Sequence, residues 1–307
     1  MALLTRIKTS LTIPAQRRVA GLLDGAYASI HAGRSLDFAD LRAYVPGDDV
    51  KDIDWNATAR SDEVLVKRYV GDRKHTIMVG VASGRGMAAA AGLDPEGQLR
   101  SVGDVAITVA GLLGWLALGH GDYGCVASLG SEGVFLPRPS VRETDLERML
   151  VAVQRSCTPR GADTQLDQLA SVLVGATRRR TVMFLVTGDV TLDRATLALL
   201  RRLAVQHQLV HLVIGELDPT AVGSAQRSPK AHTGHPHALD DGLALPDFVG
   251  DDAELAAEYA RQESTRRQRR RHALERLGVL TAQIDPGVPV VGQVLAVLER
   301  MRRGANG

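Results

Sequence analysis

The chain has 307 residues, 45% hydrophobic and 23% charged, which excludes an intrinsically disordered protein, a collagen-like repeat and a disulfide-stapled scaffold. Lys and Arg total 37 against 35 Asp and Glu, and the formal net charge of +2 gives no global electrostatic case for nucleic acid. Cys125 and Cys157 lie in or beside apolar runs without a CxxC companion, which points to buried thiols rather than a zinc site or a redox pair.

Met1 to Arg18 alternates apolar with basic or hydroxyl residues and lacks the continuous apolar run of a cleaved signal. A leading helix is expected from roughly Pro14 to His31, making residues 1–32 an N-terminal helical segment. Residues 33–75 are rich in Asp and Arg and carry turn signals such as Pro46-Gly47-Asp48. A small loop-rich module is expected there, too poor in apolar residues to bury a core alone.

From Thr76 the pattern becomes that of an α/β domain, residues 76–307. Thr76 to Ala82 is an unbroken apolar run of the kind a doubly buried strand shows, and Ser83 to Gly86 is a Gly-rich turn. Leu99, Val102, Ala106, Val109, Leu113 and Leu116 recur at helical spacing. Tyr123 to Leu129 and Gly133 to Pro137 predict a hairpin. Helices follow around Leu146 to Val153 and Leu166 to Ala176, then a strand at Thr181 to Thr187, a helix through Leu192 to Leu203 and a strand at Leu209 to Ile214. Residues 218–250 lack a period and are rich in Pro, Gly and His, predicting a long loop. An Arg-rich polar helix at Asp251 to Leu277, a last strand at Val279 to Ile284 and a closing helix through Val291 to Met301 complete the chain. Alternating strands and helices predict a doubly wound, mainly parallel sheet with an antiparallel edge strand. The longest apolar stretch, Val105 to Leu118, falls short of the roughly 20 residues a membrane span needs. The expectation is therefore a core helix, no membrane span and a cytoplasmic protein.

The stretch Gly33 to Arg60, GRSLDFADLRAYVPGDDVKDIDWNATAR, extended by Lys67-Arg68-Tyr69, resembles the signature of domain-of-unknown-function family 58. The residues that carry it are Asp37, Asp40, Arg42, Tyr44, Pro46, Gly47, Asp48, Asp49, Asp52, Asp54, Trp55 and Arg60. The resemblance implies a von Willebrand A-like α/β domain after the module. It also implies a non-enzymatic, cytosolic or membrane-tethered adaptor or chaperone component that works with a MoxR-type AAA+ ATPase on a protein client, without a cofactor.

Two readings of the aspartates stand beside this. Six of them, Asp37, Asp40, Asp48, Asp49, Asp52 and Asp54, fall within eighteen residues. As a divalent-metal cluster, with Arg60 and Lys67 holding phosphate, they would make a metal-dependent phosphoesterase. As caps and partners of Arg34, Arg42, Lys51 and Arg60, they would hold loops together by charge-assisted hydrogen bonds. Trp55 is expected to be the buried anchor that docks the module on the sheet, its loss costing about 3–5 kcal/mol, and Arg60 to hydrogen-bond within the segment.

Resemblance to von Willebrand A-like domains also implies a metal-ion-dependent adhesion site on a D-x-S-x-S motif after the first strand. Here that motif reads Val81-Ala82-Ser83-Gly84-Arg85, so Val81 replaces the Asp and Arg85 the last Ser. Thr164 and Asp189 match the later loop positions. A site lacking its leading anion and carrying a guanidinium is expected to be degenerate and metal-free; Arg85 reads either as reaching Asp163 or Asp189 in the cation's place or as pointing into solvent from a Gly-flanked turn.

His232, His235 and His237 read either as transition-metal ligands or as part of a solvated loop, and no carboxylate or Cys at ligand spacing fixes a geometry. The Arg-rich segment 261–276 reads either as a solvated helix face or as a dock for an acidic protein surface. No G-x-S-x-G, P-loop or G-x-G-x-x-G motif is present.

Overall fold

The computed structural model describes residues 2–9, 38–45, 50, 53–61, 63–69, 75–130, 133–160, 166–217 and 252–305. Three strands are apolar because both their faces are covered: β3 (Thr76–Val81), β8 (Val182–Thr187) and β9 (Gln208–Ile214). Side chains alternate along them. Ile77, Val79 and Val81 enter one core, while Met78 and Ala82 enter the other.

These strands form the centre of a six-stranded sheet in the order β10-β9-β8-β3-β6-β7. The outer members are β6 (Tyr123–Gly130), β7 (Gly133–Phe135) and β10 (Leu280–Ile284). All adjacent pairs are parallel except β6 with β7, a hairpin that leaves one antiparallel strand at the edge. A mixed α/β architecture with a mostly parallel sheet is thus present, as expected from the sequence.

Helices cover both faces. Helix α3 (Val102–Gly119), α4 (Glu143–Ser156) and α8 (Val290–Ala305) supply one core, and α5 (Leu166–Ala176) and α6 (Arg194–Gln206) the other. The β3 to β6 crossover uses the first face and the β8 to β9 crossover the second, so the winding reverses between β3 and β8. A reversal of this kind opens a crevice beyond the carboxyl ends of the two strands.

Two short elements were not anticipated. Helix α1 (Leu3–Thr9) lies on α3 and α4, its Leu3, Leu4 and Ile7 entering the first core. Glu147 of α4 accepts both the Leu3 and Leu4 N–H groups at 2.8 Å, satisfying donors that a helix start leaves orphaned. The expected helix at Pro14 to His31 and the loop at 218–250 lie outside the described residues. A hairpin of β4 (Ala90–Leu93) and β5 (Leu99–Ser101) precedes α3. Leu99 therefore belongs to this strand and is 59% exposed, rather than opening the helix. Helix α3 starts instead at a capping box, in which Ser101 Oγ accepts from Asp104 N–H and Asp104 accepts from Ser101 N–H.

Both cysteines are free, and burial pushes the thiol of Cys125 up to about 12 and that of Cys157 to about 11, so they stay protonated.

His211 in β9 is fully buried, with Nε2 at 3.0 Å from Thr187 Oγ1. The Thr187 hydroxyl donates to the Gly188 carbonyl, which assigns the shared proton to the Nε2–H tautomer. Burial, reinforced by the nearby Arg270 charge, pushes its pKa from the ordinary 6.5 to about 3. The unfolded chain then takes up a proton that the folded chain refuses, so stability falls as pH drops below 6.5 toward 3. The expected slope from this group is about 1.4 kcal/mol per pH unit. Urea unfolding across that window checks it, and His211→Gln should flatten the slope.

Candidate functional site

The crevice lies where β3 and β8 end. Val81 is buried in the first core and offers no ligand at the position of the leading anion. Ser83 is fully buried, and its hydroxyl donates to the Leu129 carbonyl of β6, so it ties two strand ends together. The chain then turns through Gly84 at φ 138°, a conformation that an L side chain would strain, into a 3-10 turn at Arg85–Ala88.

Asp189 follows Thr187-Gly188 at the end of β8, as the sequence indicates, but its partner differs from expectation. Arg270, from helix α7 (Ala253–Glu275), donates to Asp189 Oδ1 and also to the Val190 carbonyl at 3.2 Å. Arg267 Nε stands 3.9 Å from Asp189 Oδ2. On Asp189 the guanidinium comes from a helix 81 residues further along the chain, while the other expected partner of Arg85 is Asp163. Asp163 and Thr164 lie outside the described residues.

Two carboxylates join the site that sequence reading did not name. Glu216 follows β9 by two residues and accepts the Asp189 N–H at 3.2 Å. Burial raises its pKa above the usual carboxylate value; the Asp189 N–H opposes this, while the Asp189 and Glu263 charges add to it. Glu263 of α7 pairs with Arg266 and Arg267. The signal for Glu216 was available as an acidic residue just past a strand end, whereas nothing local marks Arg270 among its arginine neighbours. Among the described residues no three His, Cys, Asp or Glu side chains converge as a metal site. The crevice, about 500 Å³, is lined by Asp167, Asp189, Asp193, Thr196 and Glu216 beside Met87. Arg270 reaches Asp189 from the side of α7 and is not part of that lining.

In the signature module, β1 (Phe38–Ala43) pairs antiparallel with β2 (Leu65–Tyr69). Asp54 caps the one-turn helix α2 (Trp55–Thr58), its Oδ1 accepting from the Asn56 and Ala57 N–H groups at 3.0 Å. Arg42 Nη1 donates to the Ala43 carbonyl at 3.3 Å, Tyr44 N–H donates to the Val64 carbonyl, and Arg60 N–H to that of Ala57. Asp40 lies in β1, while Asp37, Pro46, Gly47, Asp48, Asp49 and Asp52 fall outside the described residues, as do His232, His235 and His237. Trp55 is corrected: it is 64% exposed and anchors nothing, because a single helical turn has too little length to hold an apolar face against a neighbour. Val66 of β2 is the module's buried apolar residue instead.

Residues 40–221 match the family described as "Protein of unknown function DUF58". The chain belongs to this family. Uncharacterized proteins of Mycobacterium bovis and of two Mycobacterium tuberculosis strains are each 25% identical over 218 residues, 69% of this chain and 65% of theirs. The match thus spans less than two thirds of the relatives' own length. Among solved structures, an aerotolerance-related membrane protein of Bacteroides fragilis is similar at a TM-score of 0.43 and 9% identity, covering 76% of this chain and 99% of that one. The pilus adhesin SpaC of Lactobacillus rhamnosus GG follows at 0.40 and 10%, covering 76% and 31%, and an uncharacterized membrane-spanning protein of Vibrio fischeri at 0.25 and 12%, covering 74% and 99%.

The cytoplasmic placement is withdrawn. Against the expectation of no membrane span, α3 runs 18 residues at a mean hydropathy of 1.7, long and apolar enough by length and composition to cross a membrane. The helix exceeds the run counted from sequence because Val102 to Asp104 and Gly119 extend it. In the fold, 72% of it is buried.

Arg270→Ala should destabilise the fold by about 1–3 kcal/mol, because Asp189, 13% exposed, would lose its main partner and keep only Arg267 at 3.9 Å, whereas Arg270→Met combined with Asp189→Leu should recover most of that loss. Chemical denaturation of the single and double variants measures the difference. Trp55→Ala should stay within about 0.5 kcal/mol of the parent, as exposed substitutions do, which thermal denaturation checks.

Proposed function

We propose that this DUF58 chain is a non-enzymatic scaffold of von Willebrand A-like architecture that works with a MoxR-type AAA+ ATPase, binding a protein client by surface contact. The observation that carries this reading is the Arg270 guanidinium seated on Asp189 at the strand ends. In an adhesion site of that architecture a divalent cation would gather oxygen ligands there and complete its shell with a partner's carboxylate. With a valine at the leading anion's position and a buried arginine on the later carboxylate, the charge is balanced from within and the metal-ion-dependent adhesion site is degenerate. A guanidinium on the end of a helix cannot exchange a ligand as a metal does.

The sheet supports the architecture, with parallel strands wound to both sides of β3 and an antiparallel strand at the edge. The signature module supports a contact role, because Tyr44, Val45, Trp55 and Val64 are all exposed on it. Isolated apolar residues on a surface are ordinary, but several on one small module suit protein contact.

Mixing the chain with the MoxR-type ATPase of the same organism and separating by size should give a complex in at least one of the ATP, ADP and nucleotide-free states. No complex in any of them overturns the partnership. Titration calorimetry with Mg²⁺ or Mn²⁺ should show no binding, and tight binding lost in Asp189→Ala would mean a working metal site.

A further inference from the structure

Strand β10 is the last strand on its side of the sheet, and β9 is its one strand partner among the described residues. The register sets Ile284 opposite Ile214, and the Ile284 carbonyl accepts from the Gly215 N–H. Backbone groups alternate in direction along a strand. Leu280, Ala282 and Ile284 therefore turn their N–H and C=O toward β9, and Thr281 and Gln283 turn theirs outward.

That outward edge opens into a groove. Helix α7 lines it with Tyr259, Arg267 and Arg271, α8 with Gln293 and Arg300, and the cavity measures about 770 Å³. This is within the roughly 300–1,000 Å³ of ligand pockets. Five arginines line it, 266, 267, 270, 271 and 300, against three carboxylates, Asp189, Glu216 and Glu263, a formal excess of two positive charges.

Arg270 is committed to Asp189. Arg271 pairs with Glu275 of its own helix with both side chains exposed, and Arg267 stands 3.9 Å from both Asp189 and Glu263, weak contacts that hold neither guanidinium firmly. A ligand bearing several carboxylates can therefore recruit them. Arginines beside an open strand also keep sheets from pairing edge to edge. The same charge that repels a second basic copy of this groove attracts an acidic strand.

We propose that α7, β10 and α8 form a docking groove for an extended acidic segment of a partner protein, which adds as a strand to β10. Its main chain pairs with the outward groups of Thr281 and Gln283, and its side-chain carboxylates meet Arg267, Arg271 and Arg300. Main-chain pairing supplies affinity without sequence, and the arginines select for acid. The elements that would seat the strand, α7, β10 and α8, lie beyond residues 40–221, which the family match covers, and the inference stands whether or not the partner is an ATPase.

The test uses the full chain and a fluorescein-labelled, acetylated peptide alternating Glu and Val, followed by fluorescence anisotropy. Saturable binding is expected, weakened at least about tenfold by Arg267→Glu with Arg271→Glu and Arg300→Glu. Gln283→Pro removes an outward N–H without touching the ladder to β9 and should weaken binding comparably. The same peptide N-methylated on alternate amides keeps its charge but cannot pair, and it should not bind to the unaltered chain. The proposal is overturned by no saturable binding, by undiminished binding of the N-methylated peptide, or by equal binding of a Lys-Val peptide. Self-association of the free chain that Gln283→Pro abolishes would make the groove an interface between copies and overturn it as well.

Discussion

The arrangement of the carboxyl-terminal third depends on one buried ion pair, Arg270 with Asp189. Helix α7 is polar on nearly every side, and of its 23 residues Arg270 and Leu274 are the buried ones. A helix of that kind has no apolar stripe to orient it. Two residues four apart share one face, so the guanidinium and the leucine together fix its rotation, and Leu274 with Val279 then enters the second core. Desolvating two charges costs several kcal/mol per ion, and the pair offsets this only because Arg270 also reaches the Val190 carbonyl. The pair is therefore better at specifying where α7 lies than at adding stability. Where α7 lies decides the path into β10 and hence which peptide groups face outward.

The sheet was legible because its central strands are buried on both faces and read as continuous apolar runs, as at Thr76 to Val81 and Val182 to Thr187. The β6–β7 hairpin was legible from its short polar link. What was missed is short or held by distant contacts. Strands of three or four residues such as β4 and β5 carry too few positions for a period of two to stand out. Leu99 happens to continue the helical spacing of α3 by chance, although Ser101 and Asp104 mark the true start in the form of a capping box. Helix α1 is seven residues long and persists because Gly111 of α3 leaves room for Ile7; a Cβ there would meet Ile7 Cδ1 at 2.3 Å. Nothing in residues 3–9 alone reveals that seat.

The site was half legible for the same reason. Asp189 and Ser83 sit at strand ends, which hydrophobic runs locate, so their positions could be read even though Ser83 turned out to be a cross-strand tie. That a guanidinium would neutralise Asp189 could be considered from the sequence, since arginines stand both beside the strand end and in the late helix. Which arginine would do so could not be read, because the Gly-flanked Arg85 is near in sequence and Arg270 is near only in space. Trp55 failed differently: an aromatic in a segment poor in apolar residues was taken as its anchor, yet the one turn that carries it is held by the Asp54 cap and presents the ring to solvent.

Asp189 and Glu216 line both the crevice and the arginine groove. The ion pair thus forms a wall common to the two cavities, one bounded by β3 and β8, the other by β10 and α8. A metal in that wall would have offered an open coordination position to whatever entered the crevice. The Arg270 guanidinium, with Nη1 donating to Asp189 and Val190, offers no such position. Across the wall the arginines of α7 and α8 still have hydrogen-bonding capacity, and the outer edge of β10 has no strand partner among the described residues. In this chain the capacity to hold an acidic ligand therefore lies on the groove side of the wall rather than at the strand-end crevice.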